Sequence, residues 1–293
     1  MLIGFSRGMA LMGALSAPAM AAAQAQDAPP ERPWTLSASA GIATMQGQGD
    51  QPFVSLGLGR EFGESYVKLT GTMLDNKADQ GVLNTVPART WQLALSGGTS
   101  FGALSMDASV SLGRRDFQAE AYTRANGNVI SVESDGKLAG AGIALAYDVP
   151  ISRSVFLSPF ASLDYDRVDI ARAVVIPATG LVARKEKQDG VSGAAGATLQ
   201  HMLGKSGSSI GLYGAFATTS NTTAYGNTRV GGVIRQPAGL RDGPGGADSW
   251  GEYGATASFS LSDQLTADLS IIRTAGFAPG ESTSGAIGLR INF

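Results

Sequence analysis

The sequence predicts an all-β protein, a transmembrane antiparallel up-and-down β-barrel of about twelve strands. Three observations carry that prediction. The chain ends on a run of strict two-residue alternation that stops at an aromatic, Phe293. Similar runs, each about 9–14 residues and long enough for a tilted membrane strand, recur along the chain. The connections between them alternate between short and long, as they do in barrels with short periplasmic turns and longer external loops.

The N-terminal residues 1–23 read as a secretory signal peptide. They carry one positive charge, Arg7, and no acidic residue. An apolar run follows from Gly8 to about Ala17, and small residues end at Ala21-Ala22-Ala23. That run is too short to span a bilayer and fits a signal layout instead. Cleavage after Ala23 and cleavage after Ala21 fit equally well. Residues 24–33 read as a short periplasmic linker, and residues 34–293 as the barrel.

The strands are read in order from their alternation. Trp34–Thr44 places Leu36, Ala38, Ala40 and Ile42 outward; Phe53–Arg60 places Val54, Leu56 and Leu58 outward. Tyr66–Leu74 sets Val67, Leu69 and Met73 against Tyr66, Lys68 and Thr70. Thr90–Gly98 sets Trp91, Leu93 and Leu95 against Gln92 and Ser96. Leu104–Phe117 is the cleanest, with Met106, Ala108 and Val110 alternating with Asp107, Ser109 and Ser111. Leu138–Asp148, Val155–Val168, Gln188–Met202, Ser208–Thr219, Ser249–Leu261 and Gln264–Thr274 follow the same rule. Ser282–Phe293 closes, with Ile287, Leu289, Ile291 and Phe293 outward. One face of such strands meets lipid and the other a wet lumen, and only a closed barrel satisfies their backbone in hydrocarbon. The alternation slips near Val168–Ala173, where the register is least defined.

Short turns are expected at 62–65, 98–102, 148–154, 204–207 and 262–263. Longer loops are expected at 45–50, 75–89, 118–137, 171–187, 220–248 and 276–281, all on the external side. Aromatics near strand ends (Trp34, Tyr66, Trp91, Phe117, Tyr147, Trp250, Phe259 and Phe293) are expected in interfacial girdles.

Composition supports export. The chain has no cysteine, and glycine is frequent at 40 of 293 residues. No disulfide framework or thiolate metal site is therefore available. Without Arg7 the chain carries 21 basic and 24 acidic residues, a net charge of −3, which predicts no nucleic-acid partner. A mean hydropathy of +0.05 suits a barrel, where apolar and polar residues cancel.

The segment Leu157-Ser-Pro-Phe-Ala-Ser-Leu-Asp-Tyr165 and the ending Gly285-x-x-Gly-x-Arg-x-x-Phe293 resemble the autotransporter β-domain, a twelve-stranded translocator barrel. The resemblance spans about residues 34–293 and implies a barrel that accompanies an upstream passenger and a pore-filling helix. A helix through the membrane core needs roughly 20 residues. Gln24–Pro33 is short and proline-rich, so the sequence predicts a passenger-less barrel. The closing strand, Ile287, Leu289, Ile291 and Phe293, resembles the signal read by barrel-assembly machinery.

No catalytic, cofactor or metal site is expected. A barrel phospholipase would need a His and a Ser two apart, but His201 is followed by Met202 and Leu203. The lumen-facing candidates are Lys68, Asp107, Asp164, Asp166, Glu252, Asp268 and Arg290. External basic residues are Arg172, Arg184, Lys185 and Lys187 in one loop, and Arg229, Arg235 and Arg241 in another. Their expected partners are lipopolysaccharide and outer-membrane lipid, since opposite charges concentrate ligands at a rim. Two functions stay open: a small-solute pore, or a structural or surface-interaction barrel with a side-chain-plugged lumen.

Overall fold

The computed structural model describes residues 33–46, 48–76, 88–117, 134–176, 180–204, 207–230, 234–237 and 245–293, with the short paired segments 122–123 and 129–130. The expected signal peptide and nearly all of the expected linker lie outside these residues. Twelve long strands build the wall: β1 Trp34–Met45, β2 Gln48–Phe62, β3 Ser65–Asn76, β4 Ala88–Phe101, β5 Leu104–Phe117 and β6 Ser134–Tyr147, then β7 Val155–Ile176, β8 Gly180–Leu203, β9 Ser208–Thr219, β10 Asp248–Ser260, β11 Leu265–Ala275 and β12 Ser282–Asn292. Each pairs antiparallel with its neighbours in chain order, and β12 pairs with β1, so the sheet closes. Closure leaves no unpaired edge, the condition for a sheet in lipid.

Alternation in the sequence becomes alternation in space. On β2, Val54, Leu56 and Leu58 are exposed outward while Phe53, Ser55, Gly57 and Gly59 are buried inward. Leu56 is 65% exposed and Leu112 70%. A continuous apolar outer surface of this kind is a lipid or partner surface rather than a water-facing one. The inner face is mostly buried and mixes polar and charged side chains with apolar clusters such as Ala146, Phe160, Tyr213 and Ile272. The turns β2–β3 and β4–β5 are two residues long and each contains a glycine, Gly63 or Gly102, at φ 64°; this left-handed conformation suits glycine because it lacks a Cβ.

Apart from the connection between β9 and β10, the structure departs from the sequence reading in three places. The loop expected at 45–50 is mostly strand, because β1 ends at Met45 and β2 begins at Gln48. The loop expected at 171–187 is a hairpin: β7 and β8 stay paired without a register shift from Val155↔His201 to Ile176↔Gly180, with Arg172 opposite Arg184 and Ala171 opposite Lys185. The slip in alternation has a physical cause. Pairing of β7 with β6 ends at Val168↔Leu138, so beyond Val168 the hairpin leaves the wall and both faces find cover. Val168, Asp169, Ile170 and Ala171 are consecutively buried. Arg115 donates to the Asp169 carbonyl at 3.0 Å, the Lys137 backbone N–H donates to the Asp169 carboxylate at 3.0 Å, and Ala171 packs on Ala88 and Phe117.

The third departure concerns aromatics. Trp34, Trp91, Tyr147, Phe259 and Phe293 face outward, but Tyr66, Phe117 and Trp250 are buried inside. Each shares parity with a charged lumenal neighbour two residues away: Lys68, Arg115 and Glu252. Side-chain parity along a strand, not nearness to its end, decides the face. His201 is exposed on the outer face, near the turn end of β8.

The lumen as candidate functional site

Two polar layers and one folded-in segment fill the inner face. The first layer lies near the start of β1, the end of β12 and the short turns. Arg290 on β12 approaches Asp268 on β11, with Nη2 3.5 Å from Oδ1. The same carboxylate accepts a hydrogen bond from Ser258. Lys68 reaches across Gly57, where a Cβ would lie 2.5 Å from its Cε and 2.7 Å from Ser37 Oγ; glycine at that position lets the side chain lie flat on the wall. Ser37 is in turn the register partner of Arg290. Among the described residues, Lys68 Nζ and Arg290 Nε and Nη1 have no hydrogen-bond partner. The Tyr66 hydroxyl donates to Asp107, and Ser158 donates to Asp148 at 2.5 Å. Asp164 is buried further along β7, and Asp166 is half-buried on the same inward face.

The second layer lies toward the long connections and centres on Glu252. Its carboxylate accepts from the Tyr213 hydroxyl at 2.7 Å, from Trp250 Nε1 at 3.0 Å and from the Tyr225 hydroxyl. Three donors satisfy a buried carboxylate that would otherwise be costly. Tyr225 and Trp250 also pack with Phe277 in edge-on and tilted contacts, with Trp250 and Phe277 ring centroids 4.3 Å apart.

Tyr225 does not belong to the wall. It sits in the connection between β9 and β10, which sequence reading placed outside as a basic loop. The described part of that connection turns inward. Thr222, Thr223, Ala224 and Tyr225 are buried. A small hairpin pairs Asn227–Val230 with Ile234–Pro237, setting Arg229 opposite Arg235. Gln236, fully buried, donates through Nε2 to Ser284 Oγ at 2.7 Å and accepts from Ser270 Oγ at 2.6 Å. Ser284 then donates to the Pro237 carbonyl at 2.8 Å. Those serines stand on the inner faces of β11 and β12. From the opposite wall, Thr72, Gln92, Leu138 and Val168 meet Ala224, Gly226, Asn227 and Pro237 around a cavity of about 40 Å³, room for a few waters at most. The segment therefore spans the lumen from wall to wall. Arg241 lies outside the described residues.

Sequence reasoning missed this plug. The segment carries no periodicity, so it read only as a long polar loop. The β7–β8 hairpin keeps Lys185 and Lys187 exposed, with Lys185 Nζ 3.7 Å from Asp169.

A search of curated proteins finds no significant sequence match. Solved structures do match the fold. The β-domain of the Bordetella autotransporter BrkA superposes with a TM-score of 0.58 at 14% identity, covering 89% of this chain and 99% of that one. The translocator domain of the autotransporter NalP from Neisseria meningitidis gives 0.61 at 16% identity, covering 91% of this chain and 90% of that one. The sequence model of the autotransporter β-domain matches residues 37–271. With its closed twelve-strand wall, the chain belongs to the autotransporter β-domain family.

Proposed function

We propose that this protein is a gated pore for small solutes in the outer membrane of a Gram-negative bacterium, and that it rests closed. The observation that carries this reading is the segment from Thr222 to Pro237, which crosses a polar lumen and is held by side-chain hydrogen bonds rather than by wall pairing. A lumen lined by Lys68, Asp107, Asp164, Glu252, Asp268 and Arg290 suits hydrated or charged small solutes. A plug fixed by a handful of hydrogen bonds and one aromatic cluster is held far less firmly than a strand of the wall, whose backbone is bonded on both sides. In this reading the short turns and both chain ends face the periplasm, the apolar outer band lies in lipid, and the closing strand is delivered by barrel-assembly machinery. The β7–β8 hairpin stands outside, where its basic residues meet lipopolysaccharide.

The test is conductance in a planar bilayer. The full-length protein is expected to show rare, brief openings. A variant in which residues 227–237 are replaced by a short glycine-serine linker is expected to conduct steadily. Silence from both would exclude the pore and leave the plugged, structural barrel.

A further inference from the structure

The outer face carries an arginine where every neighbour is apolar. Arg60 points outward near the end of β2 and is exposed. Its register partners are Trp34 on β1 and Val67 on β3; along its own strand the same face presents Leu58 and Phe62. Its guanidinium carbon lies 5.0 Å from the Trp34 ring centroid and 5.0 Å from the Phe62 ring centroid. Among the described residues no carboxylate pairs with it: Glu61, next in sequence, has the opposite parity, and Glu64 stands in the turn beyond.

Two aromatic contacts hold the cation in place through the ring quadrupoles. They give it no acceptor for its N–H groups. A guanidinium offers five donors in a planar fork that matches a phosphate bidentately. This position is at the turn end of the wall, two residues before Phe62, which ends β2 at the β2–β3 turn, at the level where girdle aromatics meet lipid headgroups. The start of β1 and the end of the chain meet beside it, since Trp34 exchanges backbone hydrogen bonds with Phe293.

We propose that Arg60, clamped between Trp34 and Phe62, is a binding site for the phosphodiester of one phospholipid headgroup at the periplasmic-side rim. The proposal rests on the membrane placement above and not on the lumen conducting. The rings hold the guanidinium at the rim, the headgroup phosphate takes its free N–H edge, and the acyl chains run along Leu58, Leu36 and Val67. The lipid thereby covers the seam where the first and last strands join.

The test uses the full-length protein folded in neutral detergent, with retained lipid counted by native mass spectrometry. The probes are phosphatidylglycerol, diacylglycerol and inorganic phosphate. The expected result is one phosphatidylglycerol retained in preference to diacylglycerol and not displaced by millimolar inorganic phosphate. Arg60→Gln should weaken that retention about tenfold or more, the loss of a charge-assisted bidentate contact. Arg60→Lys should fall between, because it keeps charge and loses the fork. Equal retention of diacylglycerol, or unchanged retention in Arg60→Gln, would overturn the site. Displacement by inorganic phosphate would overturn the lipid assignment. Heat-modifiable gel mobility reports that each variant is a closed barrel. The count is blind to conductance, so a silent pore leaves this outcome unaffected.

Discussion

Trp34 and Phe293, the first and last residues of the wall, exchange both backbone hydrogen bonds: Trp34 N–H to the Phe293 carbonyl at 3.1 Å and Phe293 N–H to the Trp34 carbonyl at 2.9 Å. Closure therefore reaches the final residue of the chain. Phe293→Ala keeps those backbone groups but removes the outward ring, which is 54% exposed. It is expected to lower the yield of protein inserted in the outer membrane while leaving precursor levels nearly unchanged, read by fractionation and heat-modifiable mobility. Unchanged insertion would count against a role for the ring in assembly.

The two faces of β5 are expected to respond differently to charge. Val110 is outward and exposed, and Ser109 is inward and half-buried. Val110→Arg should cost roughly 2–4 kcal/mol in reversible unfolding from lipid, the cost of a cation on the lipid face near the midplane. Ser109→Arg should cost clearly less. Equal losses would mean that the faces are misassigned.

Removing the Glu252 carboxylate should loosen the plug. Glu252→Ala strands the Tyr213, Tyr225 and Trp250 donors, at about 1–3 kcal/mol for each buried donor left unpaired. Tyr225→Phe removes a single hydrogen bond, worth roughly 1 kcal/mol. Limited proteolysis within residues 220–247 should accelerate in both, more in Glu252→Ala, with the wall left intact. Equal protection in all three proteins would sink the idea that this cluster holds the segment in place.

Glycines in the wall are not equivalent. A Cβ at Gly196 would lie 2.2 Å from the Gly214 carbonyl and 2.6 Å from Ala215 Cα, both backbone atoms of β9, whereas a Cβ at Gly71 meets nothing within 4 Å. Gly196→Ala is expected to destabilise by about 1–3 kcal/mol, as overpacking does, and Gly71→Ala to stay within about 0.5 kcal/mol. Urea midpoints with unchanged slopes would measure both.

The basic hairpin offers a test of the lipopolysaccharide proposal. Reversing Arg184, Lys185 and Lys187 to Glu should reduce lipopolysaccharide retained on purification at low ionic strength, with the difference shrinking as salt screens it. If retention is unchanged even at low salt, these charges are simply solvated.

The wall was legible in the sequence because its physics is local: a strand with one face in lipid and one in the lumen must alternate, residue by residue. Val54, Leu56 and Leu58 announce their face without knowledge of any partner. Parity alone also placed Lys68, Asp268 and Arg290 on one surface, although their convergence needs the register of five strands. What could not be read was any segment whose surroundings come from elsewhere in the chain. Asp169, Ile170 and Ala171 lose alternation because β7 parts from β6 beyond Val168↔Leu138. Tyr66 looks like a girdle residue until its carboxylate partner Asp107 is seen across strands, and Trp250 until Glu252, two residues on, is seen to gather Tyr213 and Tyr225 as well. The plug is the extreme case, for Gln236 finds its partners 34 and 48 residues away.

Those separations bear on what the plug depends on. Ser270 and Ser284, which hold Gln236, and Phe277, which packs on Tyr225, all lie nearer the C-terminus than the segment they fix. The seat of Gln236 is thus complete only where β11 and β12 stand side by side, so the segment depends on the last two strands of the wall for its anchors.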